Sequence, residues 1–361
     1  MDDATAAREA RRAKQRADNA GRAAKLHAAR LAWEADNDPV PRPDAAEVHV
    51  GCSGWFYWHW RGGFYPEGLP TRDWFAHYAA RFKTVELNAP FYSWPTVAVV
   101  KTWVRQAGRR RFVYMVKASE LITHVKRFEG TKTLVKDFGH VADLLGPRMG
   151  CFLFQLPPSF HYTPARLDRI LSQLDPARRN VVEFRHKSWW TEDVYAAFRA
   201  AGAVFCSCSG PRLPDAVVRT ADDVYVRFHG VKQWYRHDYS KAELADWAGR
   251  IRASGARRVW AYFNNDRDGY AIKNARELLR QLRGRSGGGR GRDASDARSL
   301  IQDFPRTRFG PSSVVRPAFG VAFRTWKLVS AGASTTSIPS AVFHGPSAST
   351  SPSSPSPVES L

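Results

Sequence analysis

Cysteine is scarce in these 361 residues. The four present, Cys52, Cys151, Cys206 and Cys208, include no CxxC pair. That spacing argues against a disulfide framework and fits a reducing compartment. No apolar run approaches membrane-spanning length, so no membrane partner is expected. The chain begins MDDATAAREARR, without the apolar stretch of a secretory signal. Together these features give the expectation of a cytoplasmic protein. GxGxxG, Walker A, GxSxG and HExxH patterns are all missing. The turn Gly51-Cys52-Ser53-Gly54 is too short for a dinucleotide site, and no motif assigns a cofactor. Acidic residues are also in deficit: 34 Asp and Glu face 55 Lys and Arg, a formal net charge of +21. Such a surplus suits nucleic acid or a phosphorylated metabolite. Arginine-rich composition throughout would give the same figure with no such partner.

The chain does contain enough apolar material for a sizeable core, at 43%. Residues 1–46 are rich in Ala, Arg and Lys, with few apolar side chains larger than Ala before Leu26. They predict a basic, solvent-exposed, partly helical extension that breaks at Asp38-Pro39-Val40-Pro41-Arg42-Pro43. From residue 47 a repeat sets in. Short apolar runs stand at 47–52 (EVHVGC), 83–88 (KTVELN), 111–117 (RFVYMVK), 149–155 (MGCFLFQ), 180–184 (NVVEF), 203–207 (AVFCS), 223–228 (DVYVRF) and 258–263 (RVWAYF). Helix-like segments lie between most of them, at 71–81, 131–145, 163–174, 191–201, 240–253 and 268–282. Thr71 and Ser240 are candidate N-caps, and Pro164 suits a first helical position. Near-continuous apolar strands alternating with helices imply a covered parallel sheet. Eight of them within 47–282 predict an α/β fold, a (β/α)8 TIM-type barrel, with an open doubly wound sheet as the alternative. The step from strand six to strand seven holds Pro211 and Pro214, so its helix must be short or missing. Residues 283–361 open with a Gly/Arg linker and end in Ser/Pro repeats, which predicts a low-complexity, mostly disordered tail.

In a barrel, the C-terminal ends of the strands meet at one mouth. Reading those ends gives Glu86 and Asn88, Lys117, Gln155, Glu183 with Arg185 and His186, Arg227 with His229, and Asn264 with Asp266. His124 follows the third strand. Glu86 and Glu183 are a candidate acid/base pair; alternatively each neutralises Lys117, Arg185 or Arg227. Lys117 closes an apolar run, so it is a base or imine-forming nucleophile, or else a charge partner. Metal ligands are thin: Glu183-x-x-His186, His229 and Asp266 are acceptable types, and Cys206-x-Cys208 would put two thiols on one side of a strand. No metal is assigned. Five aromatics fall within Trp55–Trp60, and Tyr92, Trp94, Trp189 and Trp190 would stand around the same face. Such surfaces suit sugar rings or unstacked bases, or they plug the barrel.

The ordered motifs GCSGW, WRGGFYPEGLP, VELNAPFY, FVYMVKASELITH, FQLPPSF, VVEFRHKSWW, VYVRFHG and AYFNNDRDGYAIKNA resemble the YecE-like family, a bacterial domain of unknown function (DUF72). The resemblance spans about 48–282. It implies a TIM-type barrel and no particular reaction. It also implies a pocket lined by Glu86, Asn88, Tyr92, Lys117, His124, Gln155, Glu183, Arg185, Trp189, Arg227, His229 and Asn264. Cys52 and Ala89-Pro90 depart from the family pattern and receive no role.

The leading expectation is an enzyme, a hydrolase or isomerase, on a small anionic or sugar-like substrate. Glu86, Glu183 and Lys117 would be catalytic. Trp55, Asn88, Tyr92, His124, Gln155, Arg185, Trp189, Arg227, His229 and Asn264 would bind substrate. A nucleic-acid binder or metal-assisted nuclease is one alternative, and a non-catalytic scaffold is another.

Overall fold

The structure is a computed structural model that describes residues 3–42 and 44–283. The predicted tail from residue 284 onward lies outside the described residues. In order, the elements are α1 (Asp3–Glu34), β1 (Glu47–Cys52), α2 (Trp74–Ala79), β2 (Thr84–Leu87), α3 (Ala89–Tyr92), α4 (Val97–Ala107) and β3 (Val113–Lys117). There follow α5 (Lys132–Leu145), β4 (Met149–Gln155), α6 (Pro164–Leu171), β5 (Asn180–Glu183), α7 (Glu192–Ala200), β6 (Val204–Ser209), β7 (Asp223–Phe228), α8 (Lys241–Ala253), β8 (Arg258–Phe263) and α9 (Tyr270–Arg283).

The eight strands form one parallel sheet in the order β1-β8-β7-β6-β5-β4-β3-β2. The sheet curls until it is nearly closed, with β1 and β2 as the two edges. The Tyr78 hydroxyl spans that seam, accepting from Cys52 N at 2.9 Å and donating to Thr84 O at 3.0 Å. Gly51 permits the approach, because a Cβ there would stand 2.5 Å from Thr84 O.

Alternation of side chains sorts each strand into two faces. Met115, Cys151, Leu153, Val181, Val204, Cys206, Tyr225, Trp260 and Tyr262 fill the barrel interior. Val116, Phe152, Val182, Phe205, Val226 and Phe263 belong instead to the larger apolar core that includes buried residues of the surrounding helices. Two caps behave as the sequence implies. Ser240 and Glu243 form a reciprocal capping box at α8, and Pro164 opens α6 behind the Thr163 cap. Thr71 does not cap a helix; it opens a single 3-10 turn before α2. The β6–β7 connection contains no helix, as its prolines require.

The N-terminal segment departs from the solvent-exposed expectation. It is one long helix, and Asn19, Ala23, Leu26 and Arg30 make a buried stripe along it. The stripe was invisible as hydrophobic periodicity because half of it is polar. Each polar member has a fixed partner. Asn19 donates to Tyr92 O at 3.0 Å and accepts from Trp94 N at 2.9 Å. Arg30 Nε donates to Asp137 of α5 at 2.8 Å. Gln15 and Arg22 add bonds to Tyr92 O and Ser93 Oγ. The helix therefore straps down the β2–α4 connection.

Candidate functional site at the barrel mouth

The inward positions at the ends of β2, β5 and β7 carry ionisable groups, and the closed sheet forces them together. Arg227 is the centre, at 1% exposure. Its Nη2 donates to Glu86 Oε1 at 2.6 Å and its Nη1 to Glu183 Oε2 at 2.5 Å. Glu86 also accepts from Ser53 Oγ at 2.7 Å and from the Tyr225 hydroxyl at 2.6 Å. Glu183 Oε1 accepts from Arg185 Nε at 2.8 Å. Arg185 in turn reaches the Tyr235 hydroxyl at 3.1 Å and lies over the Trp234 ring at 4.8 Å.

Burial alone would raise both carboxyls. Arg227 and the other donors together outweigh that in each. Arg227, Arg185 and His229 hold Glu183 well below the usual carboxylate range. Arg227, Tyr225 and Ser53 lower Glu86. Both glutamates are thus anions with fixed donors, and the ion-pair reading of them holds. A carboxylate held this way is a poor proton donor near neutrality.

Lys117 is the exception in the cluster. It ends β3 on the same inward face as Met115, at 8% exposure. Its Nζ lies 3.9 Å from the Phe91 ring centroid and makes no hydrogen bond or ion pair among the described residues. Burial, then Arg227 and Arg185, push it down from 10.5 to about 7. His124 stands on a single π turn, Leu121–Val125, edge-on to Phe91. Burial, then Lys117, bring it to about 4. His229 is also held near 4, chiefly by burial. Its Nδ1 faces Asn264 Nδ2 at 3.3 Å. Its Nε2 lies 3.3 Å from Glu183 Oε1, off the hydrogen-bonding line.

A family model described as "Protein of unknown function DUF72" matches residues 49–296. The chain belongs to that family. UPF0759 protein YunF of Bacillus subtilis is 24% identical over 279 residues, 65% of this chain and 94% of that protein. Among solved structures, a DUF72 protein from Thermotoga maritima is 28% identical with a TM-score of 0.60, covering 65% of this chain and 98% of that one. A DUF72 protein from Enterococcus faecalis, 18% identical with a TM-score of 0.57, shares the fold over 65% of this chain and 95% of its own. The barrel fold is common to these DUF72 structures, and the names of these three proteins carry no substrate.

Several other predicted residues have partners of their own. Trp189 is fully buried in the outer core, stacked on Phe184 at 4.0 Å with its indole N–H on Phe160 O. Its two ring faces are stacked on Phe184 and Phe160, and it presents no exposed surface to the mouth. Trp55 packs edge-on against Phe75 of α2. Gln155 bonds back to Leu156 O, and Asn88 to Ser53 O. Tyr92 stands on the rim at 55% exposure. His186 stacks on His161 and caps its own turn, while Asp266 is held by His59 and Trp60.

The expected metal ligands are accordingly not gathered. Another trio, Glu183, Cys208 and His229, has ligand atoms within 4.8 Å of one another. A divalent ion there would face two guanidinium groups that already hold both oxygens of Glu183, so the donor set fits a metal poorly. A cleft lined by Val40–Arg42, Arg178 and Arg179 lies at the start of β4, the end opposite this cluster. Tyr225, Trp234 and Tyr235 were missed from the sequence. Tyr225 was signalled only by its period-2 spacing from Arg227, and the two loop aromatics by nothing local.

Proposed function

We propose that the protein is an enzyme that takes a small anionic substrate at the barrel mouth, held by Arg185 and worked on by Lys117. The observation that carries this reading is the charge balance of the mouth. Three cationic side chains, Lys117, Arg185 and Arg227, meet only two carboxylates, Glu86 and Glu183. Arg227 spends Nη1 on Glu183 and Nη2 on Glu86. Lys117 Nζ and Arg185 Nη2 remain without hydrogen-bond partners among the described residues. Two unspent donors beside a net positive cluster make a seat for a carboxylate or phosphate. Paired-glutamate hydrolysis of a sugar is disfavoured, since neither carboxyl is poised to carry a proton. Lys117, near 7, is the group matched to proton transfer at neutral pH.

Titrating inorganic phosphate at low ionic strength tests the reading. Millimolar phosphate should raise the melting temperature of the wild type and do so far less in Arg185→Ala. Equal stabilisation of both proteins would move the anion site elsewhere on this basic chain, and no stabilisation would end the proposal. Tight binding of an oligonucleotide that collapses with salt would favour the nucleic-acid alternative instead.

A further inference from the structure

We propose that Lys117 forms an imine with the carbonyl group of a small anionic oxo compound, either a 2-oxo acid or a phosphorylated aldehyde or ketone. The inference rests on the anion seat above and names its substrate class.

A buried lysine ordinarily pairs with a carboxylate. Two carboxylates are near enough to act on Lys117, yet neither bonds it. Their oxygens are already taken: Glu86 by Ser53, Tyr225 and Arg227, and Glu183 by Arg185 and Arg227. The arrangement leaves a lysine enclosed, unneutralised and on the face of an aromatic ring. That is poor design for an ion pair and good design for an amine kept as a nucleophile. The groups acting on it come from several sides: Glu86 on β2, Glu183 and Arg185 on β5, Arg227 on β7, and His124 on the π turn. A metal or nucleotide would not need a free amine there; a carbonyl would. Arg185 adds the specificity, since its free donor suits a carboxylate or phosphate carried on the same small molecule.

The step balances without a co-reactant. The neutral amine attacks the carbonyl carbon, and the C–N bond forms as the C=O π pair moves to oxygen. The two amine protons pass to that oxygen, which leaves as water, giving C=N. The resulting imine, once protonated, draws electrons from the adjacent carbon, which is the use enzymes make of such lysines.

The test incubates the full chain with sodium cyanoborohydride and, in separate arms, pyruvate, dihydroxyacetone phosphate or acetone. Intact mass and peptide mapping read the adduct. One reduced adduct on Lys117 is expected with an anionic probe, and the stronger arm tells carboxylate from phosphate. Acetone, lacking the anion, should label slowly. At pH 7 the neutral fraction of Lys117 exceeds that of an exposed lysine by on the order of a thousandfold, so labelling should favour it by at least about tenfold. Labelling of Lys117 should level off just above pH 7, and inorganic phosphate should compete. Lys117→Met and Lys117→Arg should lose the adduct, with a cooperative melt showing that each still folds. Adducts spread over exposed lysines with Lys117 untouched would overturn the imine. If phosphate still stabilises the wild type through Arg185 in that case, the anion seat stands and the imine alone falls.

Discussion

The two ends of this barrel each bury a charged cluster, and the two are built differently. At the N-terminal end, Asp223 accepts from Arg258 Nε at 2.8 Å and from Trp260 Nε1 at 2.7 Å, with Arg179 Nε 3.1 Å away. Arg258 also reaches Asp44 at 2.6 Å. His49 stacks flat on Trp260 at 4.2 Å and bonds Glu47. Arg258 there meets Asp223, Asp44 and Asp222, Arg179 meets Asp223, and rings cover what remains. At the C-terminal end, three cations meet two carboxylates, and an amine is left over. The first cluster plugs its end with cations spent on carboxylates and rings. The second leaves the Lys117 amine without a partner among the described residues, and the proposed anion seat rests on that difference.

The comparison breaks most sharply at Arg227. Arg227→Met strands Glu86 and Glu183 as buried anions, at a cost of about 3–5 kcal/mol by chemical denaturation. It should also abolish phosphate stabilisation.

Lys117→Met should act in the opposite direction, stabilising by on the order of 3 kcal/mol at pH 6. The sign follows from linkage. Lys117 is lowered from 10.5 to about 7 on folding. Below pH 7 the folded and unfolded chains both hold its proton, and the fold bears the full burial penalty. Between about 7 and 10.5 only the unfolded chain binds it, so wild-type stability rises with pH. The gap between variant and wild type should therefore shrink to nearly nothing by pH 10.5 in paired denaturation curves. A constant gap would mean that Lys117 is not a buried free amine.

The smallest change is expected at the plug. Asp223→Asn keeps the shape and loses the charge, costing roughly 2 kcal/mol. Arg258 retains Asp44, and phosphate affinity should be untouched. A loss of phosphate binding in this variant would erase the distinction between the two ends.

The strands were legible because both faces of each are buried. A run such as MGCFLFQ reads as apolar throughout, and all eight segments appear within a few residues of their predicted places. Glu86, Lys117, Glu183, Arg185 and Arg227 were legible for a related reason. An ionisable group closing an apolar run has only the mouth to occupy. What was not legible depended on direction rather than composition. Trp189 follows β5 immediately, yet one bend sends it into the outer core. The role of the glutamates likewise turned on which oxygen each donor takes, and no spacing encodes that. The packing of helix α1 escaped notice because Asn19 and Arg30 do core work by hydrogen bonds.

That helix has a consequence for what counts as the unit of this protein. The family match begins at residue 49, after the strap has ended. A chain cut at that boundary would keep seven strands whole, most of β1 and every ionisable group of the mouth. It would also release Tyr92 O, Ser93 Oγ and Trp94 N from their α1 partners. Asn88 and Phe91 ride on that same connection, and Phe91 is the ring beneath Lys117. Inheritance and architecture therefore draw the edge of the molecule in different places. The family-matched barrel carries the ionisable groups of the mouth, and the helix ahead of it sets how firmly one wall of their chamber is held.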